Sequence, residues 1–147
     1  MRNINVFIDK EYEKINEPLC KSIIENILSH YKYKSYDINV IFTSDINLSD
    51  LKKEFFDKDQ WTDVIAFPLQ RDSKFIEGEI YISIPTAKKN ANLFKEPYKK
   101  ELGRLIIHGS LHLLGIEDES AEQKKKMTKL EEKFLEDELW RGLFEKS

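Results

Sequence analysis

Apolar residues recur along this 147-residue chain with two periods, one of two residues and one close to four. Residues 4–8 (Ile-Asn-Val-Phe-Ile) predict a short strand. The period then changes. Pro18 opens a helix that places Leu19, Ile23, Ile24, Ile27 and Leu28 on one face and runs to about residue 31. Residues 36–43 alternate and are rich in β-branched side chains, which predicts a second strand. Asn47 or Ser49 can cap a short helix over residues 50–56. Residues 63–69 (Asp-Val-Ile-Ala-Phe-Pro-Leu) predict a third strand. Pro68 stops it or sends it to a sheet edge, because proline has no N–H for the ladder. Residues 70–77 read as a polar turn region, and residues 78–84 as a fourth strand ended by Pro85.

The remainder predicts helices. One covers residues 85–93. A longer one covers 97–114, with Leu102, Leu105, Ile106 and Leu113 apolar and Gly115 as its stop. Ser120, with Gln123 three residues on, forms a capping box for a last helix reaching about residue 144. Met127, Leu130, Phe134, Leu135, Leu139 and Trp140 form its buried stripe. Strands interleaved with helices, without repeat or linker, predict one α+β domain over residues 1–147. Four strands interleaved in this way leave a mixed α/β domain as the other reading.

Composition narrows the function classes. Hydrophobic residues make up 40% and charged residues 35%, which suits a globular chain with a charged surface. The net charge of -3 means that only a local basic patch can attract nucleic acid. Cys20 is the single cysteine, so an internal disulfide and a four-cysteine zinc site are excluded; in its apolar run it reads as a small buried hydrophobe. The first residues carry no apolar leader and no run approaches membrane-spanning length. A cytoplasmic protein without a membrane partner is expected.

The chemistry concentrates in His108-Gly-Ser-Leu-His112-Leu-Leu-Gly115-Ile-Glu-Asp118. Four residues on a helix advance about 400°, so the two histidines lie about 40° apart on one face. Gly115 lets the chain turn, and three residues later Asp118 can return its carboxylate to the same point. Three protein ligands leave a fourth position open, as in catalytic rather than structural zinc. Such an ion activates water and polarises the oxygen under attack. One zinc ion is expected, with other divalent metals also compatible. Zinc proteases with a His-Glu-x-x-His helix place a glutamate after the first histidine as general base. Here that position is Gly109, which argues against peptide hydrolysis by that mechanism. His30 ends the first long helix, where a cation suits the dipole, and reads as structural.

At these residues the chain resembles the YbeY family, bacterial metal-dependent endoribonucleases of ribosomal RNA maturation. The family signature is His-Gly-x-Leu-His-x-x-Gly-Tyr-Asp-His. Thr62-Asp63-Val64-Ile65-Ala66-Phe67-Pro68 and Gly78-Glu79-Ile80-Tyr81-Ile82-Ser83 also resemble family segments. Two departures stand out. The family's third ligand is usually histidine, and the matching residue here is Asp118. The family's arginine before the Thr-Asp-Val strand matches Phe56; Lys58, Arg71 or Arg104 would have to supply that cation, with Lys58 the first candidate. The resemblance implies an α+β fold with a mixed, mostly four-stranded sheet flanked by helices and the metal site on a helix of the C-terminal half, and it implies catalytic roles for His108, His112 and Lys58. It implies cleavage of single-stranded ribosomal RNA ends on the small ribosomal subunit, with no DNA substrate. The alternative is a weakly catalytic ribosome-assembly factor whose metal is structural. Glu117 and Glu119 are possible proton acceptors. Lys88, Lys89, Lys95, Lys99, Lys100, Arg104 and Lys124 to Lys126 could bind phosphate, and exposed Tyr81 or Tyr98 could stack on bases.

Overall fold

The computed structural model describes residues 1–44, 47, 48, 50, 51 and 63–144. Its elements are β1 (Arg2–Ile8), α1 (Glu17–His30), β2 (Ser35–Thr43), β3 (Val64–Arg71), β4 (Phe75–Ser83), α2 (Ile84–Phe94), α3 (Tyr98–Leu113) and α4 (Ala121–Leu135), then a 3-10 turn over Leu139–Gly142. The four strands form one sheet in the order β1-β2-β4-β3. β1, β2 and β4 run parallel, and β3 pairs antiparallel to β4. The mixed α+β architecture matches the sequence expectation. β3 is indeed an edge strand, with Pro68 opposite Gly78 and a register shift directly after it.

Strand alternation decides which face carries the core. Tyr36, Ile38, Val40 and Phe42 of β2 and Ile76, Ile80 and Ile82 of β4 point to one side and are buried. α1 closes over that side with Cys20, Ile23, Ile24, Ile27 and Leu28, and α3 with Leu102, Ile106 and Leu113. Each large aliphatic side chain removed from water here stabilises the fold by about 1.5–3 kcal/mol. Cys20 is fully buried, and burial pushes its thiol up to about 12, as a core hydrophobe requires. α3 is the central helix, packing against α1, α2, α4, β3 and β4.

Several boundaries differ from the expectation. Asn16, not Pro18, starts α1: its side chain accepts from the Leu19 N–H, and the proline occupies the first turn. The polar stretch after residue 69 is mostly strand. β3 runs on to Arg71 and β4 begins at Phe75, because Asp72 Oδ1 closes a tight turn by accepting from the N–H groups of Lys74 (2.8 Å) and Phe75 (2.9 Å). The last helix stops at Leu135 rather than near residue 144. Glu138 takes a left-handed conformation (φ 59), and the 3-10 turn folds Trp140 back so that its Nε1 donates to the Leu135 carbonyl. The capping box of Ser120 and Gln123 is present as expected. The short helix predicted over residues 50–56 lies largely outside the described residues. Of the two proposed caps, Ser49 lies outside them too, and the Asn47 N–H donates to Ser44 Oγ. No helix among the described residues is long and apolar enough to cross a membrane.

Candidate metal centre and its cleft

The site is built on α3. Gly109 lets that helix lie close on the sheet: a Cβ there would come within 2.6 Å of Ile80 Cγ2 and 3.0 Å of Val64 Cγ2. The position next to the first histidine is therefore glycine for packing, not for chemistry. His108 and His112 leave the same side of the helix, one turn apart, with ring centroids separated by 4.4 Å.

α3 ends in a Schellman arrangement. The Gly115 N–H donates to the His112 carbonyl (2.9 Å) and the Ile116 N–H to that of Leu111 (3.1 Å). Gly115 has φ +91, a conformation in which a side chain is strained. This bend returns Asp118 to the histidines. Its Oδ2 lies 3.4 Å from His108 Nε2 and its Oδ1 3.3 Å from His112 Nε2. One ligand atom from each of the three residues lies within 4.8 Å of the others. Tetrahedral zinc with bonds of about 2.0–2.1 Å separates its ligand atoms by about 3.3–3.4 Å. Each imidazole Nε2 lies at about that separation from one oxygen of the Asp118 carboxylate, Oδ2 for His108 and Oδ1 for His112, so the three side chains converge closely enough to share one ion. Nitrogen and carboxylate oxygen donors are also the chemistry zinc accepts.

A fourth residue, not anticipated from the sequence, orients the first ligand. Glu131 of α4 is buried, and its Oε2 lies 2.5 Å from His108 Nδ1. A carboxylate there accepts a hydrogen bond from Nδ1–H and leaves the Nε2 lone pair facing Asp118. The signal was present in the pattern: Glu131 stands four residues after Met127 and three before Phe134, in the apolar stripe where a charge needs a partner. Glu101 on α3 is likewise buried and went unnoticed.

These carboxylates claim Arg104. Its guanidinium lies 3.5 Å from Glu101, 3.4 Å from Glu131 and 2.9 Å from Glu132. Arg104 is thus committed to the protein rather than presented to a substrate. Burial pulls the His108 imidazolium down, but the hydrogen bond and charge of Glu131, helped by Asp118 and Asp63, outweigh it and raise its pKa. His112 is lowered by burial and by His108, against the opposing pull of Asp118. Burial raises Glu101, partly offset by the Arg104 charge.

The other expected residues are dispersed. Lys58 and Phe56 lie outside the described residues. Arg71 is exposed at the end of β3 with its guanidinium over Gly115, so close that a Cβ there would lie 1.9 Å from Nη1. It makes no hydrogen bond or ion pair to the described residues. Tyr81 packs edge-on against Phe67 at 5.7 Å, and Tyr98 stacks on Phe144 at 5.1 Å. Both rings are half-buried rather than exposed. Lys100 pairs with Glu96, Lys99 donates to the Arg141 carbonyl and Lys88 sits over the Tyr98 ring, so much of that lysine cluster is a structural surface. Lys124 to Lys126 are exposed. His30 meets Tyr31 and Phe134 edge-on, a packing role as expected.

A cleft of about 350 Å³ opens beside the ligands, with His108 and Asp118 in its wall. Fold and site together define a single-sheet α+β protein with a His-His-carboxylate cluster of the kind hydrolytic metalloproteins use.

The comparisons narrow that class. The family model described as Endoribonuclease YbeY matches residues 5–138. A Persephonella marina protein named Endoribonuclease YbeY is 35% identical over 125 residues, 81% of this chain and 82% of the relative. One of the same name from Amoebophilus asiaticus is 35% identical over 134 residues, 90% of this chain and 91% of the relative. A solution structure from Thermotoga maritima is similar with a TM-score of 0.59 at 28% identity, over 95% of this chain and 93% of that one. The chain belongs to the YbeY endoribonuclease family.

Proposed function

We propose that this protein is a zinc-dependent endoribonuclease that trims single-stranded ends of ribosomal RNA, and that it works in the cytoplasm on the small ribosomal subunit. Family membership supports RNA cleavage and ribosomal RNA processing. The observation that carries metal dependence is the convergence of His108, His112 and Asp118, with Glu131 behind His108. These three side chains would hold one divalent ion. Bound there, it supplies Lewis-acid polarisation of the phosphodiester and activation of water.

The chain's own residues set up that chemistry. Glu131 fixes the His108 tautomer, and the Gly115 bend aims Asp118. Glu117 and Glu119, both exposed and next to the third ligand in the chain, are the candidate proton acceptors. Lys58, which lies outside the described residues, stays the first candidate for phosphate contact on the family resemblance, and Arg71, whose guanidinium has no ion pair among the described residues, is the second; Arg104 drops out because three carboxylates hold it.

The substitution of the family histidine by Asp118 favours one other reading, an assembly factor whose ion only holds the fold. One experiment separates the two. Purified protein is analysed for metal, then assayed on single-stranded RNA alongside His112→Ala, with circular dichroism on both. Lost cleavage with retained folding supports the enzyme. Unfolding of His112→Ala supports the structural ion, and no cleavage by metal-loaded wild type refutes the nuclease.

A further inference from the structure

Exposed cations follow one end of the sheet, and their line starts beside the metal loop. The guanidinium of Arg71 rests on Gly115, midway in the chain between His112 and Asp118. Arg71 pairs in register with Ile76, Ile76 with Tyr36, and Tyr36 with Arg2. These residues form one row across the whole sheet, and its three interstrand steps set Arg2 about 14 Å from Arg71. Backbone contacts bring further cations to the same end. Lys74 lies in the turn that Asp72 closes after Arg71. Its carbonyl accepts from the Lys34 N–H at 3.2 Å, and the Lys34 carbonyl accepts from Arg2 Nε at 3.0 Å. Arg2, Lys34 and Lys32 then line a pocket of about 360 Å³.

Arg71, Lys74, Lys34, Arg2 and Lys32 are all exposed, and none forms an ion pair among the described residues. Two carboxylates stand beside them, and both are engaged. Asp72 accepts from the N–H groups of Lys74 and Phe75, and Glu25 accepts from the Tyr36 hydroxyl at 3.1 Å. Cations therefore exceed acids here, although the chain carries a net charge of -3. Their arrangement selects the partner. A single small anion needs cations that converge on one point, and these are spread along an edge. An extended polyanion meets them in turn, as a nucleic-acid backbone does in a basic groove.

We propose that single-stranded RNA leaving the metal centre lays its phosphates along this line, from Arg71 past Lys74 and Lys34 to the pocket of Arg2 and Lys32. The inference rests on the endoribonuclease reading and gives it a docking surface outside the reacting centre.

The test uses metal-loaded protein and a labelled single-stranded RNA of about 12 nucleotides, with phosphorothioate linkages that keep its charge and resist cleavage. Anisotropy over a range of salt gives the slope of log K against log salt. Each phosphate contact with a single strand contributes about 0.7 to that slope, so combining Arg2→Gln, Lys32→Gln and Lys34→Gln should flatten it by about 2. On unmodified RNA the same protein should show KM raised by about tenfold, a larger change than in kcat. The charge-keeping set Arg2→Lys, Lys32→Arg and Lys34→Arg should hold the wild-type slope. Lys124→Gln, Lys125→Gln and Lys126→Gln together remove equal charge from α4 and should flatten the slope by less than half as much. A wild-type slope in the first glutamine protein, equal flattening by both glutamine sets, or equal flattening by the charge-keeping set overturns the line while the nuclease reading stands. Wild type that binds RNA without cutting it removes the nuclease reading, and the slopes still judge the line. Wild type that binds no RNA overturns both.

Discussion

Glu131 Oε2 lies 2.5 Å from His108 Nδ1, although 23 residues separate the two in the chain. This contact ties the last long helix to the helix that carries both imidazole ligands. It fixes which ring nitrogen faces the third ligand. It also links metal affinity to a buried carboxylate that is not one of the three ligands.

Loss of that partner should weaken metal binding without removing a ligand. Glu131→Gln is expected to lower affinity about 10–100-fold, the range for outer partners of ligating histidines. Competition titration against a chelator of known affinity measures it. An unchanged constant would show that His108 is oriented by packing alone.

Asp118→Ala should abolish stoichiometric metal in the purified protein. The remaining imidazoles cannot close the coordination, and the carboxylate lies 3.3–3.4 Å from both. Elemental analysis decides the matter: equal metal in the two proteins refutes Asp118 as a ligand.

Protons should compete with the metal at a higher pH than for a free imidazole. Ligating His108 must be neutral, and its pKa is raised above the ordinary value of about 6.5, so affinity should already be falling as pH drops toward 6.5. Affinity constant from pH 8 to pH 5 would contradict the two-histidine site. In the metal-free protein, a raised His108 pKa stabilises the fold fully below about pH 6.5, and that contribution is lost as pH rises through the folded pKa. The melting-temperature gap between wild type and Glu131→Gln should therefore be wider at pH 6 than at pH 8. His112 runs the other way in wild type, lowered by burial and by His108.

Gly109→Ala should destabilise by about 1–3 kcal/mol, because the added Cβ meets Ile80 at 2.6 Å and must push α3 off the sheet. Denaturant titration gives the value. A midpoint equal to wild type would mean that the helix–sheet gap absorbs a methyl group.

Lys58→Ala should reduce RNA cleavage by roughly 10–100-fold, the worth of one hydrogen bond to a charged group, while leaving metal content intact. Unchanged cleavage would return Lys58 to the solvated surface and leave Arg71 as the cation to test next.

Local patterns were legible wherever neighbours along the chain decide the outcome. Alternation over residues 36–43 and short apolar runs elsewhere located all four strands, and the four-residue spacing of His108 and His112 placed both imidazoles on one helical face. Pro68 marked the edge strand because a missing donor is a property of the residue itself. Gly115 marked the end of α3 for the same kind of reason. What escaped was decided by partners distant in sequence. The polar run after residue 69 looked like a loop, yet pairing with β4 drew it into strand. The stripe continuing past Leu135 looked like helix, yet Trp140 gained more by folding back against Gly103. Glu131 and Glu101 showed in the sequence only as charged positions. Their roles came from the packing of α3 against its neighbouring helices, where burial removes water and each carboxylate must find a donor in the tertiary structure.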